Sequence, residues 1–253
     1  QFENVEFKYP GAKESVLKDI NFTINEGQTL AIVGRTGSGK TSLVSLLLRL
    51  YDIDKGRILL DDNDIKDIKI KDLRENIAYV PQDNFLFSTT IRDNISFAFD
   101  HELPEEKVIS AAKAAEVYDN IVDFPNGFDT VLGERGVTLS GGQKQRVSIA
   151  RALAKDAPIF ILDDSLSSVD TETEEKILNN LEKLTNKKTI IIISHRISTV
   201  QDADEIIVLD EGYIIERGTH ETLLEADGLY NYLYEKQLLE DKIYEDSQEG
   251  YNE

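Results

Sequence analysis

TLAIVGRTGSGKTSLVSLLLRLY, residues 29–51, reads as strand, glycine-rich loop and helix in direct succession. TLAIVG, 29–34, is an apolar run of the length of a buried strand. TSLVSLLLRLY, 41–51, carries apolar residues at helical spacing. A loop of the form GRTGSGKT between such elements is a phosphate-binding P-loop. Gly34, Gly37 and Gly39 let the backbone approach phosphate oxygens with no Cβ in the way. The N–H groups of this loop, which also includes Arg35, Thr36 and Ser38, and the helix N-terminus then face the anion. Lys40 adds a point charge for the β- and γ-phosphates, the Thr41 hydroxyl is placed for Mg²⁺, and Ser42 can add a phosphate hydrogen bond.

PIFILDD, 158–164, supplies the partner for that metal. Ile159 to Leu162 read as a strand buried on both faces. A carboxylate directly after such a run sits at the C-terminal edge of the sheet, where α/β folds bind ligands. Asp163 is the metal candidate, and Asp164 next to it is placed to orient or deprotonate an attacking water.

LSGGQKQRVSIARAL, 139–153, is a second anion cradle. Ser140 and Gln143 have capping-box spacing, and Val147, Ile149, Ala150 and Leu153 continue a helix from them. Gly141 and Gly142 leave the helix N-terminus unobstructed for a phosphate. A chain that holds one nucleotide needs one cradle. The second therefore points to a nucleotide held by another subunit.

With these three segments in this order, the chain resembles the nucleotide-binding domain of ATP-binding cassette (ABC) transporters, from about Phe2 to about Leu239. The resemblance implies an α/β fold: a P-loop NTPase (RecA-like) core, an N-terminal antiparallel β-subdomain and an inserted α-helical subdomain. The expected division is residues 1–82 and 156–239 for the core with its β-subdomain, 83–155 for the helical subdomain and 240–253 for an acidic tail. It further implies a head-to-tail dimer in which each ATP lies between one P-loop and the partner's LSGGQ. Tyr9 in EFKYP resembles the aromatic that stacks on adenine. Gln82 in YVPQDNFLF resembles the glutamine that senses Mg²⁺ and the attacking water. TVLGERG, 130–136, with Glu134, resembles an exporter loop that touches transmembrane coupling helices. SSVD, 167–170, with Asp170, matches the loop that crosses the dimer interface, and His195 in IIIISHR resembles the switch histidine that contacts the γ-phosphate. PQDNFLFSTTIRDNISF, 81–97, has the pattern of exporter cassettes; Phe85, Leu86 and Phe87 are expected to join Glu134 in a docking surface.

One residue departs from the family. Competent members carry Glu as general base where this chain has Asp164. Loss of a methylene shortens the reach by about 1.3 Å, and a misplacement of about 1 Å can cost on the order of a hundredfold in rate. ATP binding is expected to survive and hydrolysis at this chain's own site to be slow. Beside an intact LSGGQ, the substitution resembles the degenerate subunit of heterodimeric exporters, whose signature completes a competent site on a non-identical partner.

Composition bounds the rest. The chain has 253 residues, no Met and no Cys. The missing Met suggests a segment excised from something longer; the missing Cys excludes disulfides and thiol–metal sites and fits a reducing compartment. No apolar stretch reaches about 18 residues, so nothing in this sequence is expected to span a membrane; the family resemblance implies transmembrane domains as partners and a place for this chain on the cytoplasmic side of a cell membrane. A net charge of −20, from 28 basic and 48 acidic residues, argues against nucleic acid and against an anionic bilayer surface. EEKVISAAKAAEVYDNI, 105–121, is the clearest helix. His220 reads as a surface or capping residue. The end of the chain, with six acids against one Lys from Glu240 on, reads as a solvated tail or a dimerising helix. A soluble ABC ATPase of translation or repair, and a regulatory ATP-binding scaffold, are the competing functions.

Overall fold

In the computed structural model, which describes residues 1–99, 101–133, 139–184 and 188–249, the chain opens with strands β1 (Phe2–Phe7) and β2 (Leu17–Phe22), paired antiparallel. Phe2, Val5 and Phe7 of the first and Leu17, Ile20 and Phe22 of the second are buried, and their neighbours are not. That alternation belongs to a sheet with one covered face. β3 (Thr29–Gly34) differs, since every residue from Leu30 onward is buried, as in a strand covered on both sides. Helix α1 (Lys40–Leu47) follows it. β4 (Lys55–Leu60) and β5 (Asn63–Asp64) form a hairpin turned by Asp61 and Asp62, both left-handed with φ of 48° and 64°, a region Asp tolerates. The first sheet has the order β2-β1-β4-β5.

The middle of the chain contains α2 (Ile70–Glu75), β6 (Ile77–Val80), α3 (Ile91–Ser96), α4 (Glu105–Ala114), α5 (Tyr118–Val122), a 3-10 turn at Gly127–Asp129, and α6 (Gly141–Lys155). β7 (Ile159–Asp163), α7 (Thr171–Leu184), β8 (Thr189–Ile193), β9 (Glu205–Asp210), β10 (Tyr213–Gly218), α8 (His220–Glu225) and α9 (Leu229–Glu249) complete it. The fold is α/β, with helices inserted between β6 and β7 and an antiparallel sheet at the N-terminus.

These elements form two compact units. One comprises residues 1–24, 29–64 and 193–253. In it β3 and β9 run parallel, from Leu30 opposite Glu205 to Gly34 opposite Leu209, and β10 adds an antiparallel edge. The other comprises residues 25–28 and 65–192 and holds β6 and β7, parallel from Ile77 opposite Ile159 to Val80 opposite Leu162. The parallel pair of the first unit ends at its C-terminal edge in Gly34, and that of the second unit in Asp163.

The helix expected over 105–121 is interrupted. Glu116 turns left-handed, with φ 53°. The Arg146 guanidinium on α6 donates to the Glu116 carbonyl, and Asn180 on α7 donates to the Ala114 carbonyl at 3.3 Å and to the Glu116 carboxylate at 2.8 Å. Side chains distant in sequence thus satisfy carbonyls that a continuous helix would use itself. His220 is also more than a surface residue: its Nδ1 lies 2.8 Å from the hydroxyl of Tyr230, which is fully buried. The end of the chain, read as a solvated tail or a dimerising helix, is helical through Glu249.

Candidate functional site

The P-loop spans the C-terminal end of β3 and the start of α1. Gly34 has φ 148°, and a Cβ there would lie 2.1 Å from the Leu209 carbonyl oxygen, so only glycine lets β3 turn beside β9. Gly37, at φ 82°, has open space where its Cβ would be. Lys40 is buried and donates from Nζ to the Gly34 and Arg35 carbonyls at 2.8 and 3.0 Å, which holds its charge over the loop. Arg35, largely exposed, pairs with Asp210 at 3.8 Å, while Thr36 and Thr41 are exposed. Helix α1 starts at Gly39 with no side-chain cap. The Ser38 hydroxyl is 4% exposed at the residue level and has no hydrogen-bond partner. An uncapped helix N-terminus, a buried cation and an orphaned hydroxyl in one loop fit a phosphate chain. Tyr9 donates to or accepts from Ser42 Oγ at 2.9 Å and packs edge-on against Phe7 and Tyr51. His195 is exposed just beyond β8.

In the second unit, Asp163 ends β7 and is 1% exposed. The Tyr79 hydroxyl on β6 donates to its carboxylate at 3.2 Å. Burial, then the charge of Asp163, push the Tyr79 phenol well above its ordinary range, so it stays a donor. A buried carboxylate at the C-terminal end of a strand suits a hard cation or its water ligand. Asp164 adopts a left-handed φ of 46° that Asp tolerates better than Glu. Its carboxylate accepts from the exposed Gln82 amide at 3.3 Å, which brings two of the expected residues together.

Helix α6 begins with the capping box expected from Ser140 and Gln143. The Ser140 hydroxyl accepts from Gln143 N–H at 3.2 Å, and the Gln143 side chain accepts from Ser140 N–H at 3.0 Å. A Cβ on Gly142 would lie 2.9 Å from the Ser168 carbonyl oxygen, so the SSVD loop packs directly against the signature helix. The buried Gln145 accepts from Ser168 N–H at 2.9 Å and ties the two together. Asp170 accepts from Thr173 N–H at 3.0 Å, which, with a smaller effect of Arg146, holds its carboxyl below the usual range.

The expected docking surface needs correction. Leu86 is fully buried, whereas Phe85 and Phe97 are about half exposed at 52% and 56%. Asn94 bonds both backbone groups of Phe87, at 2.8 and 3.0 Å, and this turns Leu86 inward. Phe87 stacks on Phe97 at 4.1 Å, and Arg151 lies over both rings. Burial draws the Arg151 pKa down to about 10, so it remains a cation at neutral pH. Glu134 lies outside the described residues. Sequence reading missed Tyr79 and Gln145. Gln145 carried a signal, because it shares the buried helical face of Ser148 and Ala152 without being apolar.

The family model described as "ABC transporter" matches residues 17–167. The ATP-dependent lipid A-core flippase of Haemophilus influenzae (strain 86-028NP) is 48% identical over 237 residues, covering 94% of this chain and 40% of the relative. The protein of that name from Methylobacillus flagellatus is 48% identical over 93% of this chain and 40% of its own length. Among solved structures, a bacterial Atm1-family ABC exporter with ATP bound superposes with a TM-score of 0.90 at 43% identity, covering 93% of this chain and 41% of that one. The chain thus spans about two-fifths of the length of the curated relatives it matches.

Proposed function

The chain belongs to the ABC transporter family as a nucleotide-binding domain, and on that premise we propose that it is the ATP-binding and hydrolysing motor of a membrane exporter. The observation that carries ATP binding is the P-loop, with Lys40 buried over an uncapped helix end and the Ser38 hydroxyl left for a ligand. Gly34, Arg35, Thr36, Gly37, Ser38, Gly39, Lys40, Thr41 and Ser42 would hold the phosphates, and Tyr9 the adenine. By family resemblance Thr41, Gln82 and Asp163 would hold Mg²⁺, which neutralises charge on the phosphates during transfer. The length of the relatives supports transmembrane domains as partners, placing this chain on the cytoplasmic face. Their names point to a lipid-like amphiphile as cargo. No helix among the described residues is long and apolar enough to cross a membrane.

The finer reading is asymmetry. Asp164 is a methylene shorter than the usual base, and its carboxylate is engaged by Gln82. We infer a slow site on this chain and a fast site elsewhere, completed by Ser140, Gly141, Gly142 and Gln143 on a non-identical partner. In the assembled transporter, Ser140→Ala is expected to lower ATPase turnover by about tenfold or more. Asp164→Asn is expected to lower it by less than about twofold, since a displaced base contributes little. The reverse ranking would exchange the two assignments. A fully active homodimer of this chain with its own membrane domain would remove the non-identical partner.

A further inference from the structure

We propose that Gln237, in the middle of the C-terminal helix, is the positioning residue for the switch histidine. The proposal rests on the reading of His195 given above. The segment after β8 makes few regular backbone bonds, yet side chains hold it at successive residues. Ser194, itself buried, accepts from Arg196 N–H at 2.9 Å. The Gln237 amide does two things at once: its oxygen accepts from Ile197 N–H at 2.8 Å, and its nitrogen donates to the His195 carbonyl. One planar amide thus closes on the peptide groups either side of Arg196, as a strand neighbour would. Ile197 and Val200 are buried, and the Ile197 carbonyl accepts from Val200 and Gln201 N–H at 3.0 Å each. The backbone is therefore pinned from both ends while the imidazole is exposed.

A histidine that must meet a developing charge is useful only if its backbone does not wander, since preorganised groups stabilise transition states without reorganising. Gln237 is 42 residues from His195 and sits on α9. The helix at the end of the chain thereby sets the geometry of a residue assigned to the γ-phosphate.

The test uses the intact exporter carrying Ser140→Ala, which silences the fast site completed by this chain's signature, so that the turnover read is that of this chain's own slow site. Gln237→Met keeps length, volume and helix propensity but removes both hydrogen bonds. Gln237→Glu keeps the acceptor for Ile197 N–H and sets a carboxylate against the His195 carbonyl. Both are expected to lower kcat by about tenfold, with the KM for ATP changed by less than about twofold, and Gln237→Met also to speed hydrogen exchange at the Ile197 amide. Leu239→Ala, at a position 60% exposed on the same helix, is expected to leave kcat unchanged. Undiminished turnover in both Gln237 variants would overturn the proposal, as would a KM that rises by the factor that kcat falls. His195→Ala separates the proposal from its premise. If it leaves turnover intact, the reading of His195 fails and the clamp with it. If it abolishes turnover and the Gln237 variants do not, the clamp alone is wrong.

Discussion

The chain contains two glycine-rich helix starts, and they are finished in opposite ways. At α1 the first turn is left open: Gly39 offers no side-chain cap, and the nearby Ser38 hydroxyl is buried without a partner. At α6 the first turn is closed on itself, with Ser140 and Gln143 satisfying each other's backbone donors. A helix end has four N–H groups without internal partners, and it can spend them on its own side chains or on an anion. The open end is a primary binding site that accepts a phosphate without giving anything up. The closed end must exchange a cap for a ligand, and that suits a group that meets its nucleotide only when two subunits come together.

The largest expected effect tests whether the glycines in the two places do the same work. Gly34→Ala is expected to destabilise the chain by about 3 kcal/mol or more, because it adds both a strained φ and a Cβ inside the Leu209 carbonyl oxygen. A chain of this size should then melt roughly 6–12 °C lower. Gly141→Ala places its Cβ no closer than 4.0 Å to anything outside its own helix and should leave the melting temperature unchanged or raise it. Calorimetry of both variants decides; equal losses would mean that the two glycine runs serve one purpose.

The next effect tests which end holds the nucleotide. Lys40→Ala removes the buried cation and should weaken binding of a fluorescent ATP analogue by roughly 30-fold or more, the worth of charge-assisted hydrogen bonds. Ser140→Ala should leave that affinity within about twofold, since the Ser140 hydroxyl already has a partner in its own helix. Unchanged affinity in Lys40→Ala would sink the assignment of the P-loop as the primary site.

Much of this contrast was legible in the sequence, for a physical reason. The P-loop and the capping box are local: their donors, glycines and spacing lie within a few residues, so periodicity and residue type suffice. What escaped the reading is tertiary. Nothing near 116 foretells that Arg146 and Asn180 would take the carbonyls there and end a helix that its own sequence would continue. Leu86 looks like Phe85 and Phe87 until Asn94 turns the loop. Tyr79 and Gln237 matter through partners 84 and 42 residues away, a separation that no short motif encodes.

The smallest expected effect separates the two duties of Ser140. Ser140→Ala should cost about 1 kcal/mol by opening the capping box, a fall of roughly 2–4 °C in melting temperature. That loss alone cannot tell a structural cap from a ligand-binding hydroxyl. Ser140→Asp can. Aspartate caps a helix as well as serine does, and its charge is favoured at the positive end of the helix dipole. The variant should therefore melt at or above the wild-type temperature. Yet it fixes a carboxylate where the signature is proposed to receive a phosphate, and two anions at one helix end repel. The assembled transporter should then lose turnover at least as fully as with Ser140→Ala, while the variant chain stays the more stable of the two. Full turnover in Ser140→Asp would show that the closed end of α6 is a cap and nothing more, and the open end of α1 would be left as the chain's sole phosphate cradle.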